Sequence, residues 1–234
     1  MRESVPERIV ERKVVFYKTL VDPSVAKITG EKLKANLFVR LRLFRPKLEE
    51  VQFESIDKYY EPYIAVSGKY AIEYYRKQTY TLQVDADVRE VVLFDRTLIP
   101  ETSTTTQTTM NKIVVEGAER RFYEDEAYLI LDKQGQEVSL TQVPTAPSEE
   151  KPVEISEEYR EKTRRLQLSP DMEVSVLRSK LVKRPTNVQR VVHELFEVSE
   201  RTVIYTPIYE VIFKNTRTED TKAIKISGVT SKLL

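Results

Sequence analysis

Residues Tyr59–Phe94 read YYEPYIAVSGKYAIEYYRKQTYTLQVDADVREVVLF, the densest run of β-forming residues in the chain. Ser67-Gly68 sits between two alternating segments and reads as a hairpin turn, with glycine supplying a positive φ. Arg76-Lys77-Gln78 and Asp85-Ala86-Asp87 are the next breaks, which predicts a meander of four short strands. A shorter echo closes the chain, Tyr205–Leu234, YTPIYEVIFKNTRTEDTKAIKISGVTSKLL. Tyr60-Glu61-Pro62 aligns with Tyr205-Thr206-Pro207, and Thr79–Val84 with Thr221–Ile226 after a three-residue deletion. The alignment suggests two weakly related β-meander halves.

Outward from this stretch, Leu33, Ala35, Leu37, Val39, Leu41 and Leu43 alternate with bulky or polar residues and predict a strand that Pro46 ends. Val51 and Phe53 suggest another short strand. Asp22-Pro23 and Gly30 punctuate a loop, and residues 5–20 show no clean period. The Thr-rich run 97–109 reads as loop or linker. Residues 112–143 read as a small acidic β-insert with turns at Gly117 and Gln134-Gly135, and the Pro-rich 144–153 as a flexible connector. Ser156 with Glu157-Glu158 predicts a helix to about Leu166. Ser169-Pro170-Asp171 signals another helix start, yet Val174 and Val176 alternate as in a strand, so 172–182 stays open. Val188, Val191, Val192, Leu195 and Phe196 fit an amphipathic helix over 187–197. The fold class expected is α+β, predominantly antiparallel β, with two to three helices in the second half. The expected divisions are 1–98, 99–153 and 154–234.

Composition removes several functions. The chain has 234 residues, no cysteine and one histidine, which excludes disulfides, thiol catalysis and a conventional zinc site. Its 38 basic and 37 acidic residues give a net charge of +1, so no global field draws it to nucleic acid or anionic lipid. The five glycines are isolated and form no phosphate-cradling or dinucleotide-binding loop. No cofactor is expected. No apolar run approaches the roughly 20 residues of a membrane span, and MRESVPERIVERK lacks a signal-peptide core. A cytoplasmic protein is the expectation, with a charge content of 32% that fits a thermophile.

Seven of the thirteen tyrosines fall between Tyr59 and Tyr80. A hairpin at Ser67-Gly68 would place Tyr59, Tyr63, Tyr70 and Tyr74 on one face with Arg76 at its edge. Such a face can bind a protein partner or stack bases, or it can be ordinary sheet packing. Charge is also segregated: residues 116–158 hold twelve acids against four bases, and 160–190 nine bases against three acids. Arg164, Arg165, Lys180, Lys183 and Arg184 are the candidates in the basic stretch for contacts with a partner, including RNA phosphates. The competing reading is two charged blocks that neutralise each other within the molecule or across a dimer. Asp85 and Asp87 read as a turn, and His193 as a surface or boundary residue.

These features predict a non-catalytic interaction or regulatory protein that docks onto a larger protein or ribonucleoprotein assembly, such as the translation machinery, and pairs as a homodimer. The alternative is a small-ligand-binding protein or metal-independent enzyme with its site between the halves.

Overall fold

The computed structural model describes residues 5–38, 47–105, 108–149 and 162–234. Among these, the strands are β1 (Glu7–Ile9), β2 (Lys13–Phe16), β3 (Val51–Val84), β4 (Val91–Leu93), β5 (Arg96–Leu98), β6 (Glu101–Thr105), β7 (Thr108–Leu131), β8 (Glu137–Val138), β9 (Val188–Asn215) and β10 (Thr221–Ser227). Two α-helices accompany them, α1 (Pro23–Leu37) and α2 (Pro170–Leu181). One sheet runs β1-β9-β3-β7-β6, with β2 and β10 also on β9 and β8 on β7; β4 and β5 pair separately. Pairing is antiparallel for β10 on β9, β6 on β7 and β8 on β7, while β2 runs parallel to β9. The β-rich, mostly antiparallel class therefore holds.

The chain forms two compact units. Unit 1 comprises Met1–Glu7, Tyr70–Asp125 and Val182–Phe196; unit 2 comprises Arg8–Lys69, Glu126–Leu181 and Glu197–Leu234. Each draws part of β3, β7 and β9, and each is treated on its own below.

The meander expected over 59–94 is instead one strand of 34 residues, without a turn at Ser67-Gly68 or a break at Arg76–Gln78. Gly68 is needed for space rather than for a positive φ. A Cβ there would stand 2.1 Å from the Glu197 carbonyl oxygen and 3.1 Å from Leu177. Glycine in a strand interior often marks such a backbone approach. The turn at Asp85–Asp87 is real: Val88 N donates to Asp85 O at 3.2 Å. The C-terminal segment does form a hairpin, β9–β10, in register from Thr221↔Lys214 to Ser227↔Ile208. Its turn is held by Asn215 Oδ1, which accepts from the backbone of Arg217 and Thr218. The two segments aligned as copies thus follow different paths, one a continuous strand and the other a hairpin.

Residues 33–37 are helical, not extended, and 39–46 lie outside the described residues. Asp22-Pro23, read as a loop, is a helix start: the Asp22 carboxylate accepts from Ser24 N at 2.8 Å, and Pro23 opens the first turn. Ala26, Gly30, Leu33 and Leu37 then recur at helical spacing. Gly30 lets α1 settle against Val211 and Phe213, where a Cβ would meet side-chain atoms at 3.1 Å. This contact belongs to the unit 2 core of Ala26, Phe38, Val51, Tyr209, Val211, Phe213, Ile224 and Ile226.

The amphipathic helix expected over 187–197 is part of β9. Its valines are β-branched and stiff, so they suit a pleated surface better than a helix turn. The signature of a strand is there too: Glu194 and Phe196 are buried while Leu195 between them is partly exposed. The Thr-rich run 97–109 is likewise largely strand, with β6 paired to β7 from Glu101↔Lys112 to Thr105↔Thr108. Gly117 lies inside β7, whereas the turn at Gln134-Gly135 is present, with Gly135 at φ 89°. Residues 144–149 are not a free connector, because Pro147 O accepts from Lys18 N and Phe16 O from Glu149 N. The expected helix at 156–166 falls mostly outside the described residues; Thr163 within it bridges Tyr60 in parallel.

The open segment 172–182 is resolved as α2, capped by Ser169 and burying Glu173, Val174, Leu177 and Leu181. Glu173 is fully buried. Arg201 Nε donates to its Oε1 at 2.7 Å, and Arg12 Nη2 stands 3.2 Å from Oε2, close enough to pair but not aligned as a hydrogen bond. Arg201 also donates to Val10 O and Pro170 O, so one guanidinium ties β9, the start of α2 and the chain after β1. Glu173→Ala leaves this cation unpaired and is expected to cost about 3–5 kcal/mol. Glu137→Ala removes an exposed pair with Lys180 and should cost under about 1 kcal/mol. Urea unfolding of the two variants measures the difference, and equal losses would deny the buried cluster its anchoring role.

Candidate interaction site

In one unbroken strand, odd- and even-numbered residues occupy different side-chain rows. Tyr59 and Tyr63 therefore do not share a row with Tyr70 and Tyr74, as a hairpin would have required. Tyr59, Tyr70 and Tyr74 are buried, and Tyr63 is half-buried. Arg76 Nε donates to Glu119 Oε2 at 3.0 Å. In the basic stretch, Arg164 lies 4.6 Å over the Tyr59 ring and 3.7 Å from Glu210. Lys180 pairs with Glu137, and Arg184 makes a two-pronged pair with Glu194. Arg165 and Lys183 are exposed and make no ion pair among the described residues. Most of these charges thus have internal partners, but only Lys180–Glu137 joins the acidic block to the basic one.

In unit 1, Tyr70 donates its hydroxyl proton to Glu194 Oε1 at 2.7 Å, on the same carboxylate that Arg184 grips. Burial, then the Glu194 bond, pushes the Tyr70 phenol well above its ordinary value. Burial pushes the Glu194 carboxyl up, but the hydrogen bonds from Arg184 and Tyr70 outweigh it and hold it below its usual 4.5. The triad reads as a packing device, since all its groups point at one another.

An uncovered surface of unit 1 lies further along β3. The row that buries Tyr70, Ile72 and Tyr74 continues through Arg76 and Gln78 to Tyr80 and Leu82, which are exposed. Tyr80 lies over Gly117 of β7, where a Cβ would come within 3.2 Å of the ring, and its hydroxyl donates to Glu119 at 2.9 Å. The tyrosine is thereby clamped flat. Beside it the β4–β5 hairpin turns at Phe94-Asp95 in register Leu93↔Arg96. Tyr80, Leu82, Leu93, Phe94, Leu98 and Val114, among others, line a groove of about 850 Å³.

The turn itself is unusual. Phe94 has φ 51° and Asp95 φ 58°, the sign a type I′ hairpin turn requires at both central positions. Asn-Gly is the favoured pair there; a phenylalanine in this region costs about 1–3 kcal/mol. Phe94 is 88% exposed, with Val92 and Ile99 nearby in sequence at 63% and 79%. Sequence reading passed over this site because Phe-Asp is no turn signal, though VVL and RTL on either side are β-prone.

In unit 2, Glu61, Tyr63, Asp132, Lys133, Val138 and Leu234 line a smaller cavity of about 250 Å³. Lys133 donates to Glu61 Oε1 at 2.7 Å, while Glu61 Oε2 and the nearby Tyr59 hydroxyl are buried without a hydrogen-bond partner among the described residues. Burial, then the charges of Glu61 and Glu210, pushes the Tyr59 phenol up to about 12. His193 is exposed on β9, and no group of three or more His, Asp or Glu among the described residues is placed to hold a metal. No helix among them is long and apolar enough to cross a membrane.

No protein-family model, curated protein or solved structure matches the chain.

A carboxylate whose folded pKa is depressed stabilises the fold above its unfolded pKa and loses that contribution as pH falls through the folded value. Stability of the wild-type protein should therefore drop as pH falls below about 4.5. Glu194→Gln should show a shallower acid limb in denaturation midpoints measured against pH. An unchanged slope would mean the triad is not coupled to folding.

Proposed function

We propose that the protein is a non-catalytic interaction protein that docks onto a larger protein or ribonucleoprotein assembly, with the apolar groove of unit 1 as its binding face. The observation that supports this most is Phe94, an exposed aromatic held in a costly turn at the lip of that groove. Backbone strain and exposed apolar surface both collect at binding sites. The candidate cations of 164–184 favour this face over an electrostatic one, because Arg164, Lys180 and Arg184 are already paired internally. Docking should consequently tolerate salt, whereas phosphate contacts would weaken steeply with it.

Sedimentation of source-cell lysate at low and high salt tests the reading. The wild-type protein is expected with a large particle at both salts, and Phe94→Asp in the slow fractions. Wild-type protein that sediments freely at both salts sinks the docking reading, and release by salt alone would return the binding face to the basic stretch.

A second reading, a small-ligand-binding protein, draws on the unpartnered Glu61 oxygen beside the unit 2 cavity. It expects a ligand that donates a hydrogen bond there, an amine or a hydroxyl, and a rise in thermal midpoint with such a compound that Glu61→Ala abolishes. A library of small amines and polyols that leaves the midpoint unmoved dismisses it.

A further inference from the structure

We infer that the unit 1 groove of the free protein is filled by a second copy of this chain, in a two-fold pairing that exchanges Phe94. This rests on the docking reading above and names the occupant of the same face when no larger assembly is bound. A two-fold axis sets a patch against itself, so residue i meets residue j and j meets i. Such a patch must carry both a projection and a recess. Here Phe94, 88% exposed, projects at the lip of the groove of about 850 Å³ that it helps to line.

The charges fit the same symmetry. Arg96 and Glu116 are the charged residues lining the groove, both are exposed, and neither makes an ion pair among the described residues. Across a two-fold, each Arg96 can meet the other copy's Glu116, which makes two pairs of opposite sign. One cation and one anion also leave the groove lining neutral, and with Asp95 at the projecting turn the face offers a polyanion such as RNA nothing.

The hairpin supplies the need for cover. β4 and β5 have three residues each and pair with no other strand among the described residues. A two-stranded hairpin on its own is marginal in water and leaves its edges open. Ten residues line the groove, fewer than the roughly 20–30 a side of a standard stable interface. The dimer is therefore concentration-dependent, and an assembly partner can displace it.

Sedimentation equilibrium of the purified full chain across a wide concentration range tests the pairing. The wild-type protein should show a reversible monomer–dimer equilibrium, and Phe94→Asp should be monomeric with an unchanged circular dichroism spectrum. Arg96→Glu and Glu116→Arg should each weaken the dimer at least about tenfold by opposing like charges. The double variant R96E/E116R should restore it, a rescue that a general folding defect would not give. A monomeric wild-type protein at every concentration, or a dimer indifferent to all four variants, overturns the inference. If the monomer still loses the large particle on Phe94→Asp, only the two-fold occupant fails and docking stands. If the dimer and its rescue appear without any large particle, the pairing stands and docking fails.

Discussion

No side chain fits at residue 68. The strand pair β3–β9 brings the Glu197 carbonyl oxygen so close that even a Cβ would stand 2.1 Å from it. That one constraint turns a residue that looks like punctuation into the means by which two strands stay continuous. With Gly68 in place, β3 keeps hydrogen-bonded neighbours on both edges, β9 and β7. Unit 2 closes around it: Ser67 and Ser199 hydroxyls meet at 3.1 Å, Lys69 and Arg8 flank the Glu197 carboxylate, and Leu177 of α2 packs over the glycine. The buried Glu173–Arg201 pair then anchors the start of the same helix. Packing and charge converge on one place, where Arg201 hydrogen-bonds the buried carboxylate and Arg12 adds a second positive charge beside it.

The segregation of charge along the chain has a related outcome. Glu137 from the acidic block pairs directly with Lys180 from the basic block, while Arg164 and Arg184 find Glu210 and Glu194 on β9. Of these, only Glu137–Lys180 joins the two blocks, from β8 to α2, and the other two cations pair with carboxylates of β9 outside the acidic block. Arg165 and Lys183 are what remains exposed and without an ion pair among the candidate cations.

The β-rich class was legible because propensity summed over long stretches survives errors of detail. Boundaries were not, and the reasons differ by residue. Gly68 and Gly117 carry the turn residue's identity but serve close contact, and a missing Cβ looks the same in sequence whichever purpose it has. Leu33 and Leu37 fit a period of two and equally the helical row from Ala26, and only the Asp22 cap separates the readings. Val188, Val191 and Val192 fit a helix by spacing and a strand by branching, and strand pairing decided. The tyrosines were rightly marked as unusual in number, yet their burial depends on which strands cover them, which lies beyond local pattern. The groove was invisible for a further reason: its lip is a turn made of residues that turns avoid.

That avoidance bears on what the turn is for. A phenylalanine at positive φ costs about 1–3 kcal/mol, and Phe94, 88% exposed, returns nothing inside the free molecule. An asparagine or glycine at the same position would relieve the strain and remove the exposed apolar surface together. Fully burying a phenylalanine stabilises by about 1.5–3 kcal/mol, so seating this ring in a partner roughly offsets the strain. Across a two-fold axis the gain occurs twice in one interface. The turn places the residue at the lip of the groove before binding. On the docking proposal the cost of the turn would be borne by the free protein and recovered on contact, beside a Tyr80 already clamped over Gly117.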